Sequence, residues 1–222
     1  TARDVKRLGR RAKPTRLAKG RTLLVFRVES QQPSSWFNGQ TYLDVLNHDA
    51  VKRFLEVTHE AYLKRVGEHF GKRVPGIFTD EPHFGRVGQS VGENSTSTPW
   101  TGALPKVFKE RYGYDLLAHL PELFLDVEGV DLSRARYHYN DCITHLFVDA
   151  FSRQVGQWCD EHKLEHTGHV LAEETPMSQV NVVGSAMRFY EYMQAPGMDL
   201  LTEHRREYDT AKQVSSVARQ FG

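Results

Sequence analysis

The sequence predicts an α/β fold, arranged as an incomplete section of a (β/α)8 TIM-barrel-like domain. Three observations predict it. Short apolar runs of strand length alternate with stretches whose apolar residues keep helical spacing, a pattern that gives parallel strands joined by right-handed crossovers. No glycine-rich phosphate loop follows a strand: Gly85-Arg86-Val87-Gly88 lacks strand–helix context, which counts against a nucleotide-binding open sheet. Four strand-like runs fall in 222 residues, whereas a whole barrel needs eight strands and about 250 residues. Strands are therefore expected before residue 22 and after residue 222.

The elements follow in order. Residues 1–21 read as a basic, poorly ordered lead-in, because Arg3, Lys6, Arg7, Arg10, Arg11, Lys13, Arg16, Lys19 and Arg21 face only Asp4. Residues 22–222 read as part of a catalytic barrel domain. Residues 22–29 (TLLVFRVE) are short, apolar and rich in Leu, Val and Phe, as a buried parallel strand requires. Asn47 can cap a helix running to about residue 70, with Val51, Phe54, Leu55, Ala61, Tyr62 and Val66 on its buried face and Gly71 as its stop. Residues 75–79 (PGIFT) begin a second strand, which Pro82 ends. A Gly/Ser/Thr-rich loop fills 84–101, long enough to suggest function. Short helices are expected at 104–112 and 116–124, and a long amphipathic one over 133–162. A third strand at 164–170, a helix at 178–193, a fourth strand at 197–201 and a helix at 209–220 complete the chain.

Composition narrows the function classes. A formal charge of +1 carries no electrostatic signature of a nucleic-acid or membrane partner. No apolar run approaches the 18 or so residues of a membrane span, and no apolar segment of a secretory leader follows the basic start. Cys142 and Cys159 fall on one predicted helix, roughly 25 Å apart at 1.5 Å per residue, too far for a disulfide. That fits a reducing compartment, so a cytoplasmic location is expected, or a secreted one if a leader has been removed.

In a barrel, chemistry sits at the C-terminal ends of the strands, and four groups of residues fall there or nearby. Thr79-Asp80-Glu81-Pro82 brings two carboxylates to the end of the second strand. Adjacent strand residues point to opposite faces, so one of the pair at most aims squarely at the mouth, and the other is free to bind a loop or a metal. A carboxyl held against apolar walls can act as a general acid. After the third strand come His166 and His169, candidates for sugar hydroxyl contacts, and Glu173 and Glu174, each a candidate second carboxylate or metal ligand. His166 is equally readable as a structural histidine. A metal would draw on His169, Glu173 and Asp80; the spacing matches no zinc pattern, and calcium on carboxylates and carbonyls is favoured over zinc. Asp199, inside the fourth strand, must find a partner or face the site; Glu203 and His204 read as solvated loop residues. Finally, Trp36, Tyr42 and Asp44 lie in a cluster suited to stacking on and hydrogen bonding to sugars, with Trp100 a further aromatic.

These same segments carry a resemblance. Residues 35–82 (SWFNGQTYLDVLNHDAVKRFLEVTHEAYLKRVGEHFGKRVPGIFTDEP), the PWT and FKERYGYDL pieces, and TGHVLAEE with SQVNVVGSAMRFYEYMQAPGMDLL resemble bacterial glycoside hydrolases of the α-L-rhamnosidase-like kind. The resemblance spans about residues 20–222. It implies a long protein whose catalytic barrel is followed by β-sandwich modules, and hydrolysis, inverting or retaining, by two carboxylates, with calcium admitted at the sugar. It makes Glu81 the first choice for general acid, and Glu173, Glu174 or a residue beyond 222 the partner. Two other readings stand beside it: a non-catalytic carbohydrate-binding or degenerate barrel, and a metal-dependent hydrolase built on His169 and its neighbouring acids.

Overall fold

The computed structural model describes residues 23–126, 128, 133–200 and 208–222. The basic lead-in at 1–21 and the loop residues Glu203 and His204 lie outside them. The fold is mixed α/β, and the chain divides into two compact units. One comprises residues 23–42 with Pro105–Tyr139, the other Leu43–Leu104 with Asn140–Gly222.

The second unit is built around a three-stranded parallel sheet ordered β1-β4-β5: β1 (Gly76–Asp80), β4 (Glu165–His169) and β5 (Ala195–Pro196). Gly76 pairs with Glu165 and Asp80 with His169; on the other side of β4, Thr167 pairs with Ala195 and Gly168 with Pro196. Gly168 sits where two backbones crowd it. Its φ of +131° is glycine territory, and a Cβ there would collide with the carbonyl of Thr79.

Helices cover this sheet. Asn47 caps α1 (His48–Val57), its side-chain oxygen accepting from the N–H groups of Asp49 and Ala50. The expected helix to residue 70 breaks at Thr58, whose hydroxyl donates back to the Phe54 carbonyl at 2.7 Å, a bond that competes with the helical ladder. It resumes as α2 (His59–Val66). The loop at 84–101 is not structureless, for it holds a small antiparallel hairpin of β2 (Gln89–Gly92) and β3 (Ser95–Ser97). The expected helix at 133–162 forms as α5 (Arg134–Phe147), a π-helical turn at Val148–Arg153 and α6 (Gln154–Glu161). The expected helix at 178–193 is split into α7 (Pro176–Val182) and α8 (Ala186–Tyr190) by Gly184, at φ +80°. The final helix, α9, spans Tyr208–Phe221. Phe54, Phe84, Phe147, Phe151 and Phe189 meet ring to ring in the core between these elements and the sheet.

The first unit holds α3 (Leu104–Tyr112, from its second residue) and α4 (Leu120–Phe124). Its core is aromatic: Phe108 packs on Tyr112 and Tyr114, and the Tyr114 hydroxyl meets His138 Nδ1 at 3.1 Å.

Two of the four expected strands need correction. Residues 23–30 carry no regular element and are exposed. An apolar run reports a need for burial, and among the described strands none pairs with it; Phe26 packs on Phe124. The strand expected at 197–201 falls instead at Ala195–Pro196. The ladder ends with Gly197 N–H donating to the Gly168 carbonyl at 2.8 Å, after which the Asp199 N–H turns away to a carboxylate. A whole barrel is therefore not seen in the described residues; a small parallel sheet is.

Candidate functional site

The site lies where the parallel strands end. At the end of β1, Asp80 and Glu81 follow each other, but they do not alternate as a flat strand would have them do. Glu81 has φ +48°, in the left-handed region that costs a residue with a Cβ roughly 1–2 kcal/mol. Its N–H still donates to the His169 carbonyl at 3.2 Å, so the pairing survives while the side chain is re-aimed. Pro82, buried just after, prevents the ladder from going further. The left-handed residue re-aims Glu81 toward His169, while Asp80 meets the same ring with its side chain 77% exposed.

Both carboxylates consequently reach His169 at the end of β4. Asp80 Oδ1 lies 3.1 Å from His169 Nε2. Glu81, His169 and Asp199 present ligand-type atoms that all lie within 4.8 Å of one another, with His169 buried and the two acids half-buried. Asp199 arrives from beyond β5. It is held by its own backbone, since its N–H donates to Glu173 Oε1 at 2.6 Å. The other oxygen of Glu173 accepts from the Tyr190 hydroxyl, which in turn accepts from the Val170 N–H at 3.4 Å. Glu173 is 5% exposed. Burial pushes its carboxyl above the ordinary range, while the bonds from Tyr190 and Asp199 pull the other way. Burial and the neighbouring Glu173 also raise the Tyr190 phenol, so this hydroxyl keeps its proton and serves as a donor.

The residues named from sequence thus fall into three sets. Asp80, Glu81, His169 and Asp199 are brought together, with Glu173 directly behind Asp199. Glu174 is half-buried in the turn before α7, outside that cluster. His166 points the other way, into the core, with Nε2 3.0 Å from Thr79 Oγ1; it is fully buried and burial depresses it to about 4. Asp44 fixes a turn, taking the Leu46 N–H on one oxygen and the Thr101 hydroxyl on the other. Trp36 and Tyr42 belong to the first unit. There a tight turn, closed by the Ser34–Gln40 bridge, displays Trp36 at 86% exposure and sets Phe37 against Tyr42 at a tilt. Tyr190 was not legible in the sequence: it reads as one more aromatic of a helix. Of the set His169, Glu173 and Asp80 on which a metal would draw, Glu173 is engaged with Tyr190 and the Asp199 amide, and the ligand-type atoms that come within 4.8 Å of one another are those of Glu81, His169 and Asp199.

A mixed α/β chain with acids gathered past the ends of parallel strands is of the architecture found in many sugar-cleaving enzymes. Residues 26–222 match glycoside hydrolase family 106, described as alpha-L-rhamnosidase, and the chain belongs to that family. No curated protein matches it. Among solved structures, the rhamnosidase from Novosphingobium sp. PP1Y is similar, with a TM-score of 0.60 and 22% identity over 81% of this chain. The matched region is 16% of that protein, so the chain corresponds to a small part of its neighbour's length.

Proposed function

We propose that this chain forms part of the catalytic barrel of a longer α-L-rhamnosidase, and that Glu81 is the acid that protonates the glycosidic oxygen. The observation that carries the reading is the convergence of Glu81, His169 and Asp199 at the ends of β1, β4 and β5. The parallel order of those strands, and the 60% exposed Phe78 beside the site on β1, support closure of the barrel by segments outside the described residues.

In this scheme the sugar lies against Asp80, His169 and Asp199, whose side chains accept from and donate to its hydroxyls. Glu81 gives its proton to the leaving oxygen as the bond to the anomeric carbon breaks, and water supplies the new hydroxyl there. Neither neighbouring carboxylate suits activation of that water. Asp199 is within 4.8 Å of Glu81, closer than the roughly 6.5–9.5 Å that leaves room for a water. Both oxygens of Glu173 are already accepting hydrogen bonds. We assign the second catalytic carboxylate to Glu174 or to a residue outside the described residues. Trp36 and Tyr42 are proposed as an aromatic platform for a sugar ring.

Calcium, which the family resemblance admits, takes six to eight oxygens. Asp199 and Glu81 offer carboxylate oxygens of that kind, while the His169 nitrogen is a poorer donor for it. When bound it would orient and polarise sugar hydroxyls. A carboxylate that binds a cation has no proton to give, so with Glu81 as the acid the clustered residues offer too few oxygens for a calcium shell, and no step is routed through the ion. The test is turnover of an aryl α-L-rhamnoside by the full-length enzyme and its Glu81→Gln variant. Near-normal turnover by that variant would remove the assignment.

A further inference from the structure

The closest-knit group near the site is one that no sugar needs to touch. Tyr190 is wholly buried on α8, Glu173 nearly so, and the Asp199 amide completes the row. Glu173 is the hinge of the arrangement: one oxygen is fixed by the phenol and the other fixes the backbone of Asp199. Residues 198–200 carry no regular element, and among the described residues the bond to Glu173 follows the Gly197 ladder bond in fixing where Asp199 begins. A carboxylate that accepts from an O–H and an N–H makes the stronger, shorter kind of bond.

We propose that Tyr190 and Glu173 are positioning residues for the glycosidase site, acting through the backbone of Asp199 to hold its carboxylate beside Glu81 and His169. The inference rests on the proposed function for its kinetic consequence, and on geometry alone for its structural one. Glu173 needs no charge for this role. A glutamine keeps an oxygen for the Asp199 amide and turns its NH2 toward the phenol oxygen, so the arrangement survives neutralisation. Alanine removes it, and phenylalanine at 190 removes the phenol's share without opening a cavity.

The experiment uses the full-length protein. With an aryl α-L-rhamnoside, Tyr190→Phe and Glu173→Ala are expected to lower kcat/KM by about tenfold or more, the scale of one charge-assisted hydrogen bond, chiefly through KM, because Asp199 binds hydroxyls that do not react. Glu173→Gln is expected to stay within about threefold of wild type. In an Asp199→Ala background, Tyr190→Phe is expected to cost nothing further. A thousandfold loss of kcat in Glu173→Gln would make Glu173 catalytic and overturn the proposal, as would full additivity of Tyr190→Phe with Asp199→Ala. If the wild-type protein turns over no rhamnoside, the functional reading fails, and the relay is still read by hydrogen exchange at the Asp199 amide. That exchange should quicken in Tyr190→Phe and Glu173→Ala and stay unchanged in Glu173→Gln; equal rates in all four proteins would end the proposal.

Discussion

His166 and His169 stand three residues apart on one strand and occupy opposite chemical settings. His166 faces the core, where burial favours the neutral ring and holds it at about 4. Among the described residues its Nδ1, like Nε2 of the neighbouring buried His59, has no hydrogen-bond partner. His169 faces the rim, meets Asp80 at 3.1 Å and shares a cluster with Glu81 and Asp199. An odd spacing along a strand sends the two rings to opposite faces of the sheet, and position along the strand does the rest. The inward histidine constrains the fold; the rim histidine sits among groups that can meet a ligand. The contrast separates variants that disable the site from variants that weaken the fold.

The largest effect is expected at the rim. Glu81→Gln should lower kcat/KM of the full-length enzyme by at least about a thousandfold, equivalent to roughly 4 kcal/mol, with an unchanged unfolding midpoint. A fall in the unfolding midpoint that parallels the loss of turnover would move Glu81 from acid to structural residue and blur the contrast.

The core pair should respond to pH. His59 and His166 each fall from 6.5 to about 4 on folding, burial being the first cause for both. The unfolded chain therefore binds more protons between those values. Stability is fully present above pH 6.5 and is lost as the pH falls toward 4, by up to about 3 kcal/mol for each ring. Urea midpoints measured from pH 7 to pH 4 should drop steeply in wild type and less steeply in His59→Gln. A flat profile in wild type would mean that neither ring is held neutral.

Gly168 lies between the two histidines and tests the strand that carries both. A methyl group at φ +131°, facing the Thr79 carbonyl, should cost about 2 kcal/mol in strain and displaced pairing. Gly168→Ala should lower the unfolding midpoint and, by moving β4 against β1, the turnover as well. A change in turnover with an unaltered midpoint would show the rim to be softer than the sheet beneath it.

What the sequence disclosed follows the same division. β1 was legible because a short apolar run ends abruptly in Asp80-Glu81-Pro82; β4, the polar EHTGH, was legible from its place between two helical stretches, with only Leu164 and Val170 as apolar flanks. The exposed state of residues 23–30 was not legible: apolar character announces a need for neighbours without saying which chain segment provides them. Nor was the early end of β5, since the force that draws Asp199 out of the sheet is a carboxylate 26 residues away in sequence. The breaks at Thr58 and Gly184 had local signals, a hydroxyl able to bond backward and a glycine, but helical periodicity on either side outweighed them. The closeness of Glu81 to Asp199 depends on one left-handed backbone angle, and period-two reasoning assumes that no such angle occurs.

The smallest expected effect belongs to the other unit and involves neither histidine. Trp36 presents 86% of its surface on a turn pinned by the Ser34–Gln40 bridge and by its own N–H on the Ser34 hydroxyl at 3.2 Å. A side chain so exposed contributes little to the fold, so Trp36→Ala should leave the unfolding midpoint within about 0.5 kcal/mol of wild type. As a stacking platform it should instead weaken binding of an α-L-rhamnosyl oligosaccharide severalfold, an effect on the order of 1 kcal/mol read by calorimetry. An aromatic face gains from the apolar face of a sugar ring what it does not gain from water, so removing it withdraws binding energy without unfolding the turn. Unchanged affinity in the variant would strip Trp36 of that role.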